Sequence, residues 1–251
     1  MRFQQRLIFI VASFCIIFTV SCKKQVVSLG PGLTTLTIVN AVSGSSPIIA
    51  NINQQLPRYQ GQPATAYLGY NLLKFSGGNT IMNFRQTSDT TTDLITTSNM
   101  SLPNYSIHSL FLGGTVSSPD TLLVTDILPI HGTSGHGAAD STAGIRFVNL
   151  SPGSSPISIN LQGNASGSEV ASLSYKDITG FINYSTISAV SSYTFEFRDA
   201  GTGNRLATFT LGGVNNGTNG NTSKNNVIFR NMTIVFCGLP GSETTFLVNN
   251  Y

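Results

Sequence analysis

The feature that most constrains the fold of this chain is an internal repeat. Residues 38–52 read IVNAVSGSSPIIANI, and residues 147–161 read FVNLSPGSSPISINL. Aligned without gaps, the two segments agree at eight of fifteen positions. Farther along, residues 83–85 (NFR) parallel residues 196–198 (EFR), so the order is kept while the spacing drifts. Two copies of about a hundred residues predict a duplicated domain rather than a solenoid of short repeats.

Each copy is predicted to be all-β. Residues 193–198 (YTFEFR) and 207–211 (ATFTL) alternate apolar and polar side chains, and a period of two is typical of a half-buried strand. Strand-like runs recur between clusters of Gly, Pro, Asn and Ser, which is the pattern of a sandwich. We interpret the shared Gly-Ser-Ser-Pro as a tight turn, in which Pro47 and Pro156 set φ before the next strand begins.

The N-terminal segment is predicted to be a lipoprotein signal peptide. Arg2 and Arg6 precede the apolar run LIFIVASFCIIFTV of residues 7–20. As a helix this run reaches about 21 Å, less than the roughly 30 Å of a bilayer core, so we expect a signal peptide rather than a membrane span. Residues 19–22 (TVSC) resemble the lipobox of bacterial lipoproteins, which implies cleavage before Cys22 and lipid on that residue. An uncleaved anchor, favoured by the two lysines that follow, is the alternative.

These signals divide the chain into five segments. Residues 1–21 are the signal peptide, 22–33 a lipidated tether, 34–129 the first β-sandwich repeat, 130–143 a Gly-rich linker and 144–251 the second β-sandwich repeat. The predicted fold is all-β, with two tandem antiparallel, immunoglobulin-like sandwiches after the signal peptide.

Residues 146–161 (RFVNLSPGSSPISINL) resemble the opening strands of the DUF 4397 family, a β-sandwich domain of bacterial surface proteins. The Phe-x-Phe-Arg strand and the closing hydrophobic strand are similar as well. The resemblance covers most of residues 34–251 as two copies. It implies a sandwich fold and no known catalysis.

Composition excludes several classes of partner. Only 9% of residues are charged, and without Arg2 and Arg6 there are 11 basic residues against 10 acidic ones. No basic patch remains to bind nucleic acid through its phosphates. No Gly-rich phosphate loop follows a strand and opens a helix, and we expect no cofactor.

One stretch carries residue types suited to a metal or to hydrolysis. His131 and His136 lie between Asp126 and Asp140, a spacing that could hold a divalent cation or serve a hydrolase. The stretch is rich in Gly, however, and offers no rigid element to fix ligand geometry. We therefore favour a linker and expect neither a metal site nor an enzyme.

Two further residues have an ordinary structural explanation. Cys237 lies in an apolar run, where a lone thiol is more often core than nucleophile. Glu196 alternates outward on its strand, so we expect a surface carboxylate. The segment 215–226 (NNGTNGNTSKNN) is interpreted either as a recognition loop or as a flexible connection made of good turn residues.

Three Asp-Ser/Thr patterns resemble acceptors for periplasmic O-glycosylation. They place candidate sugar attachment at Thr90, Thr121 and Ser141. Sugar on exposed loops is physically easy to accommodate, and the pattern is short enough to arise by chance.

The resulting hypothesis is a non-enzymatic envelope lipoprotein of the outer membrane, on its periplasmic face or the cell surface, that acts as a structural, adhesive or binding module. Its expected partners are the membrane, through the lipid, and a glycan or an envelope protein. The alternative is a glycan-binding accessory lipoprotein of a nutrient-uptake system, although the chain has no Trp for a sugar platform. An exposed row of Tyr would favour sugar binding, and an exposed apolar strand edge would favour protein assembly.

Overall fold

A computed structural model of the chain describes residues 32–53, 64–131, 141–216 and 223–250. All regular elements in these ranges are strands, which confirms the predicted all-β class. Together they belong to one compact unit, Gly32–Tyr251. None of the described elements is a helix long and apolar enough to cross a bilayer. The predicted signal peptide, Cys22 and most of the predicted linker lie outside the described residues.

The first repeat contributes nine strands to the described part of the chain. They are β1 (Leu33–Asn40), β2 (Ile48–Ile52), β3 (Gly69–Ser76), β4 (Gly78–Thr80), β5 (Met82–Gln86), β6 (Ile95–Thr96), β7 (Met100–Leu102), β8 (Ile107–Thr115) and β9 (Ser118–Thr125). One sheet has the order β3-β1-β8-β9. The facing layer consists of β2-β5-β6 and the short pair β4-β7.

The second repeat contributes the remaining eight. They are β10 (Thr142–Leu150), β11 (Ile157–Leu161), β12 (Val170–Leu173), β13 (Ile182–Ser185), β14 (Ser192–Asp199), β15 (Arg205–Gly212), β16 (Asn231–Cys237) and β17 (Thr244–Asn249). The sheet β13-β10-β16-β17 faces the sheet β12-β11-β14-β15. The first strand begins at Leu33, the last residue of the predicted tether, and β10 begins two residues before the predicted second repeat.

The expectation of purely antiparallel sheets is wrong for the central pair of each repeat. Strand β1 runs parallel to β8, and β10 runs parallel to β16. Parallel neighbours need a crossover connection. Here the strands of the facing layer form that connection, because the chain builds the whole second layer between β1 and β8. Periodicity within a strand does not report the direction of its neighbour.

The two central sheets pack back to back. Within each repeat, alternate side chains fill a core between the facing layers, as Phe84 and Phe147 do. The other side chains of the same strands form a third buried cluster that spans both repeats. Phe111 of β8 belongs to it together with Val148 of β10 and Val235 of β16. The four central strands are therefore covered on both faces, and the compact unit consists of four stacked layers.

The contacts across this interface are related by a pseudo-two-fold axis. Because Leu112 pairs with Asn40 and Phe236 with Asn149, the next residues, Gly113 and Cys237, are equivalent. The hydroxyl of Tyr67 in the first repeat is hydrogen-bonded to Cys237 in the second. The hydroxyl of Tyr175 in the second repeat lies against Gly113 in the first, 3.6 Å from where a Cβ would stand. Equivalent tyrosines thus reach equivalent positions of the opposite repeat.

The axis runs roughly along the strands, because the strands of both repeats point the same way. The tyrosine contacts lie near the ends of β8 and β16, at Gly113 and Cys237. At the opposite end, the Arg146 guanidinium of β10 reaches the Ser109 hydroxyl of β8, at 3.3 Å. We call the end where β1, β8, β10 and β16 begin the entry end. The end where they finish, with both Gly-Ser-Ser-Pro segments, is the turn end.

Candidate functional site

The best-matched motif of the repeat forms a structural turn, as the sequence predicts. Gly44 and Gly153 have φ of +82° and +79°, a region open mainly to glycine. The side chain of the buried Asn40 accepts a hydrogen bond from Val42 N at 3.1 Å and donates one to Thr65 O at 3.2 Å. Asn149 repeats both bonds, with Ser151 N at 3.0 Å and Leu173 O at 3.1 Å. The side chains of Asn40 and Asn149 therefore hold the backbone of the turn, and these hydrogen bonds occupy their polar atoms.

A polar cluster lies on the outward face of the first repeat's outer layer. Asn51 of β2 stands opposite Asn83 of β5. Arg85 Nε lies 2.6 Å from Asp93 Oδ1, and Asn83 Nδ2 donates to Asp93 Oδ2 at 2.6 Å. The hydrogen bond from Arg85 is the main reason that the pKa of Asp93 is lowered. We call these four residues the first outer cluster.

An equivalent cluster lies on the outer layer of the second repeat. Asn160 of β11 stands opposite Glu196 of β14 and donates to its Oε2 at 3.0 Å. Arg198 Nη2 lies 2.7 Å from the same oxygen, and Arg205 Nη1 lies 3.6 Å from Oε1. Hydrogen bonds from Arg198, and then from Asn160, lower the pKa of Glu196. These four residues form the second outer cluster, in which Glu196 points outward as predicted but is only 5% exposed.

Both clusters contain an asparagine whose amide oxygen has no protein partner. Asn51 is 7% exposed and Asn160 is 1% exposed, and within the described ranges neither Oδ1 accepts a hydrogen bond. A buried acceptor left unpaired is costly to the folded state. Each repeat thus pairs a carboxylate with an arginine beside an unused amide acceptor. Groups of this kind bind neighbouring hydroxyls.

A third polar cluster is buried where the two repeats meet. Arg146 Nη2 lies 2.8 Å from Asp126 Oδ1, and these side chains are only 4% and 1% exposed. Arg146 Nε also donates to Thr233 Oγ1 at 2.8 Å, and Ser109 Oγ donates to Asp126 Oδ2 at 2.7 Å. Asn250 completes the cluster by accepting from Thr233 Oγ1 at 2.5 Å. Because these side chains are so deeply buried, the network is suited to holding the two repeats together and not to binding a ligand.

The two described residues of the hypothetical metal or hydrolase site have other partners in the structure. Asp126 is engaged by Arg146 inside the interface. His131 lies near the entry end, with Nε2 3.0 Å from Asn231 Oδ1 and Nδ1 3.2 Å from Thr142 Oγ1. His136 and Asp140 fall outside the described residues. Among the described residues, no three His, Cys, Asp or Glu side chains come together as metal ligands would.

Cys237 is buried in the interface core, as the sequence indicates. Burial raises the pKa of its thiol to about 12, although the hydrogen bond from Tyr67 opposes the shift. A thiol with this pKa remains protonated at neutral pH and is a poor nucleophile.

The candidate sugar acceptors differ in access. Thr90 and Ser141 are exposed, while Thr121 is half-buried on β9. Attachment at all three remains a prediction, as does lipid on Cys22. In the segment 215–226, residues 217–222 are not described. Asn225 beside them anchors its part of the segment, by donating to Val214 O and Asn216 O, both at 2.9 Å.

Sequence reasoning missed the outer clusters for a definable reason. The match of residues 83–85 to 196–198 aligned both arginines correctly. It could not show that the carboxylate comes from different places, from Asp93 ahead of β6 in one repeat and from Glu196 within β14 in the other. A search for carboxylates within ten residues of each Phe-Arg pair would have included Asp93 and Glu196 among its candidates.

Comparison with known proteins adds little. No family model matches the chain, and no curated protein matches it. Among solved structures, one that is similar is CBMbc, a family CBM26 module of Amy13K from Eubacterium rectale, in complex with maltoheptaose. The likeness covers 85% of this chain and 96% of that one, at 10% identity and a TM-score of 0.26. A TM-score this low carries no inference about function.

Proposed function

We propose that the chain is a non-enzymatic cell-envelope lipoprotein that acts as a rigid structural, adhesive or binding module. The observation that carries the proposal is the back-to-back packing of the central sheets. Bending the repeats apart would expose Phe111 and Val235 and would unpair the buried Arg146. Both changes are unfavourable. The outer layers therefore keep a fixed distance and face away from each other, which suits a protein that presents two surfaces to its surroundings.

The anchor is tested by metabolic labelling with palmitate, beside a Cys22→Ala variant. Label that depends on Cys22 supports the lipid anchor, and label that persists in the variant, or is missing from both, contradicts it. Protease treatment of intact cells then locates the protein. Removal from intact cells places it on the cell surface, and protection places it on the periplasmic face of the outer membrane.

Glycan binding is the second candidate, and the outer clusters are the observation that favours it. The Arg85–Asp93 and Arg198–Glu196 pairs can donate to and accept from sugar hydroxyls, and the buried, unpartnered amide oxygens of Asn51 and Asn160 lie in the same clusters. Aromatic stacking contributes less support. Tyr105 alone among the described tyrosines is exposed, so no row of tyrosines forms a platform. On the edge strands β3 and β9, Leu72 and Leu123 are exposed at 43% and 36%, which favours protein contacts.

Glycan binding is tested by native gels that contain soluble neutral polysaccharides. A bound polysaccharide retards the protein, and Arg85→Ala and Arg198→Ala should each reduce the retardation, because each variant leaves the cluster of the other repeat intact. Lys176→Ala is the matched control, because it also removes a cation but leaves both clusters intact. Retardation that is equal in all four proteins would place the sugar elsewhere, and none in the wild type would leave the structural or adhesive function.

A further inference from the structure

Exposed apolar side chains are concentrated at the entry end. Tyr105 is 76% exposed, and its backbone nitrogen donates to Leu33 O where β1 begins. Ile127 is 86% exposed and follows Asp126, whose nitrogen donates to Ile107 O where β8 begins. Seven of the eleven exposed large hydrophobic residues in the described chain lie here: Leu33, Ile81, Tyr105, Ile127, Ile130, Ile187 and Phe229.

Two of these residues occupy equivalent positions under the pseudo-two-fold axis. Tyr105 lies two residues before β8, and Phe229 lies two residues before β16. Phe229 N donates to Thr142 O, as Tyr105 N does to Leu33 O. Their φ angles are +62° and +61°, where bulky side chains are rare. Because the axis runs along the strands, the two residues lie at the same level along the strand direction.

The turn end has a different character. Its side chains are largely short and polar, and they satisfy one another. Ser46 Oγ lies 2.9 Å from Ser88 Oγ, and Asp89 accepts from the Thr91 hydroxyl at 2.7 Å. Val116 and Leu239 are exposed there, at 38% and 46%, as single residues in the two equivalent turns. The two ends of the strands therefore differ in character, apolar at the entry end and polar at the turn end.

The course of the chain indicates what covers the apolar end. Gly32, the first described residue, packs so closely on the Tyr105 ring that a Cβ there would overlap it. Cys22 precedes Gly32 by ten residues, and ten residues span at most about 35 Å. If Cys22 carries lipid, the entry end lies within that distance of the bilayer surface. Exposed Arg230 beside Phe229 adds the positive charge that anionic headgroups attract.

We propose that the entry end docks on the membrane surface, with Tyr105 and Phe229 inserted at the headgroup level on either side of the axis. The proposal rests on the lipid anchor of the proposed function. Aromatic rings and aliphatic side chains with a neighbouring cation are the residues that membrane interfaces favour. Docking would fix the body upright and present the turn end, with both repeated turns, away from the bilayer.

Fluorescence tests this directly, because the chain contains no tryptophan. The full lipidated protein is prepared as three single variants, Tyr105→Trp, Phe229→Trp and, as the matched control at the turn end, Leu239→Trp. Each is reconstituted on vesicles of phosphatidylethanolamine and phosphatidylglycerol, with and without lipids that carry a spin label near the headgroup. We expect a blue shift and several-fold stronger quenching for the first two variants than for Leu239→Trp.

The outcomes separate the docking from the anchor. Vesicle flotation and lipid label report the anchor, while quenching reports the docking. Flotation with equal or no quenching at both ends would overturn the docking alone. A blue shift at position 105 or 229 that needs no vesicles and grows with protein concentration would assign the surface to a second copy of the chain instead. Protein that neither floats nor carries label would overturn the anchor, and with it the docking.

Discussion

The two sides of the repeat interface have the same backbone but different chemistry. The first repeat contributes Thr37, Ser109 and Asp126. The pairings of β1 with β8 and of β10 with β16 make Arg146, Thr233 and Asn250 their equivalents in the second. Asp126 N and Asn250 N donate to equivalent carbonyls, each at 2.8 Å.

This difference shows how a duplicated fold can favour contact between unlike repeats over contact between like repeats. A symmetric interface with arginine on both sides would bury two like charges. With one arginine and one aspartate at non-equivalent positions, the first repeat is complementary to the second and not to itself. Specificity of this kind combines an attractive pair with repulsion in the alternative.

Breaking the charge pair has the largest expected effect. Asp126→Ala leaves Arg146 buried without a counter-charge and should lower the free energy of unfolding by about 3–5 kcal/mol. Urea denaturation measures the change. The matched control is Asp120→Ala, which breaks a second ion pair between the repeats, with Lys176 at 2.7 Å. The side chains of Lys176 and Asp120 are 36% and 41% exposed, so the loss should stay below about 1 kcal/mol.

A double variant sharpens the comparison. Asp126→Asn combined with Arg146→Thr gives each repeat the residue that its partner holds. Because removing a buried pair together costs less than removing one member, the double variant should be more stable than Asp126→Asn alone. A double variant that loses the sum of both single losses would show that the two side chains are not coupled.

The next effect concerns two adjacent glycines at the end of β8. Gly114 has φ of +77°, and a Cβ there would collide with Ser118 O, so Gly114→Ala should cost roughly 1–3 kcal/mol. Gly113→Ala should change stability by less than about 0.5 kcal/mol, since its equivalent, Cys237, already carries a side chain. Thermal unfolding compares them. Equal losses would contradict the equivalence of Gly113 and Cys237.

Strain at the entry end predicts a smaller change of opposite sign. Tyr105→Gly relieves a left-handed backbone and should raise the free energy of unfolding by roughly 0.5–1 kcal/mol, measured in the absence of membranes. Val116→Gly is the control at the turn end, where φ is ordinary and glycine should destabilise. A loss in both variants would mean that Tyr105 stabilises the fold itself.

The smallest expected effect depends on pH. His108 is 2% exposed, and burial lowers its pKa below the ordinary 6.5, although the charge of Asp126 opposes the shift. Since the unfolded state then binds the proton more readily, stability should fall as pH drops below about 6.5. Register makes Met232 its equivalent in the second repeat. His108→Met should therefore make the free energy of unfolding depend less on pH, between neutral pH and the lower range where carboxylates titrate. If the dependence on pH is unchanged in the variant, groups other than His108 cause it.

Part of the site could have been read more fully from the sequence. Residues 232–237 (MTIVFC) form an almost uninterrupted apolar run, which indicates a strand covered on both faces. That run predicts that the second repeat buries a further surface, although it does not name the partner. Residues 68–70 (LGY) and 173–175 (LSY) look alike, but the structure does not align them. Leu68 is equivalent to Lys176, because both have positive φ and both backbone nitrogens donate to equivalent Asn carbonyls.

The amino-acid sequence alone predicts the all-β class, the two matching halves and the Gly-Ser-Ser-Pro turns. Those properties depend on side-chain period and on residues that set φ locally. The folded structure was needed to show that β1 and β8 are parallel, that the halves share a core, and that Arg146 contacts Asp126 there. These contacts join residues far apart in sequence, and no local pattern states which distant surface a strand will cover. The polarity of the two ends became visible for the same reason, since Tyr105 and Phe229 are brought to one end only by the stacking of the sheets.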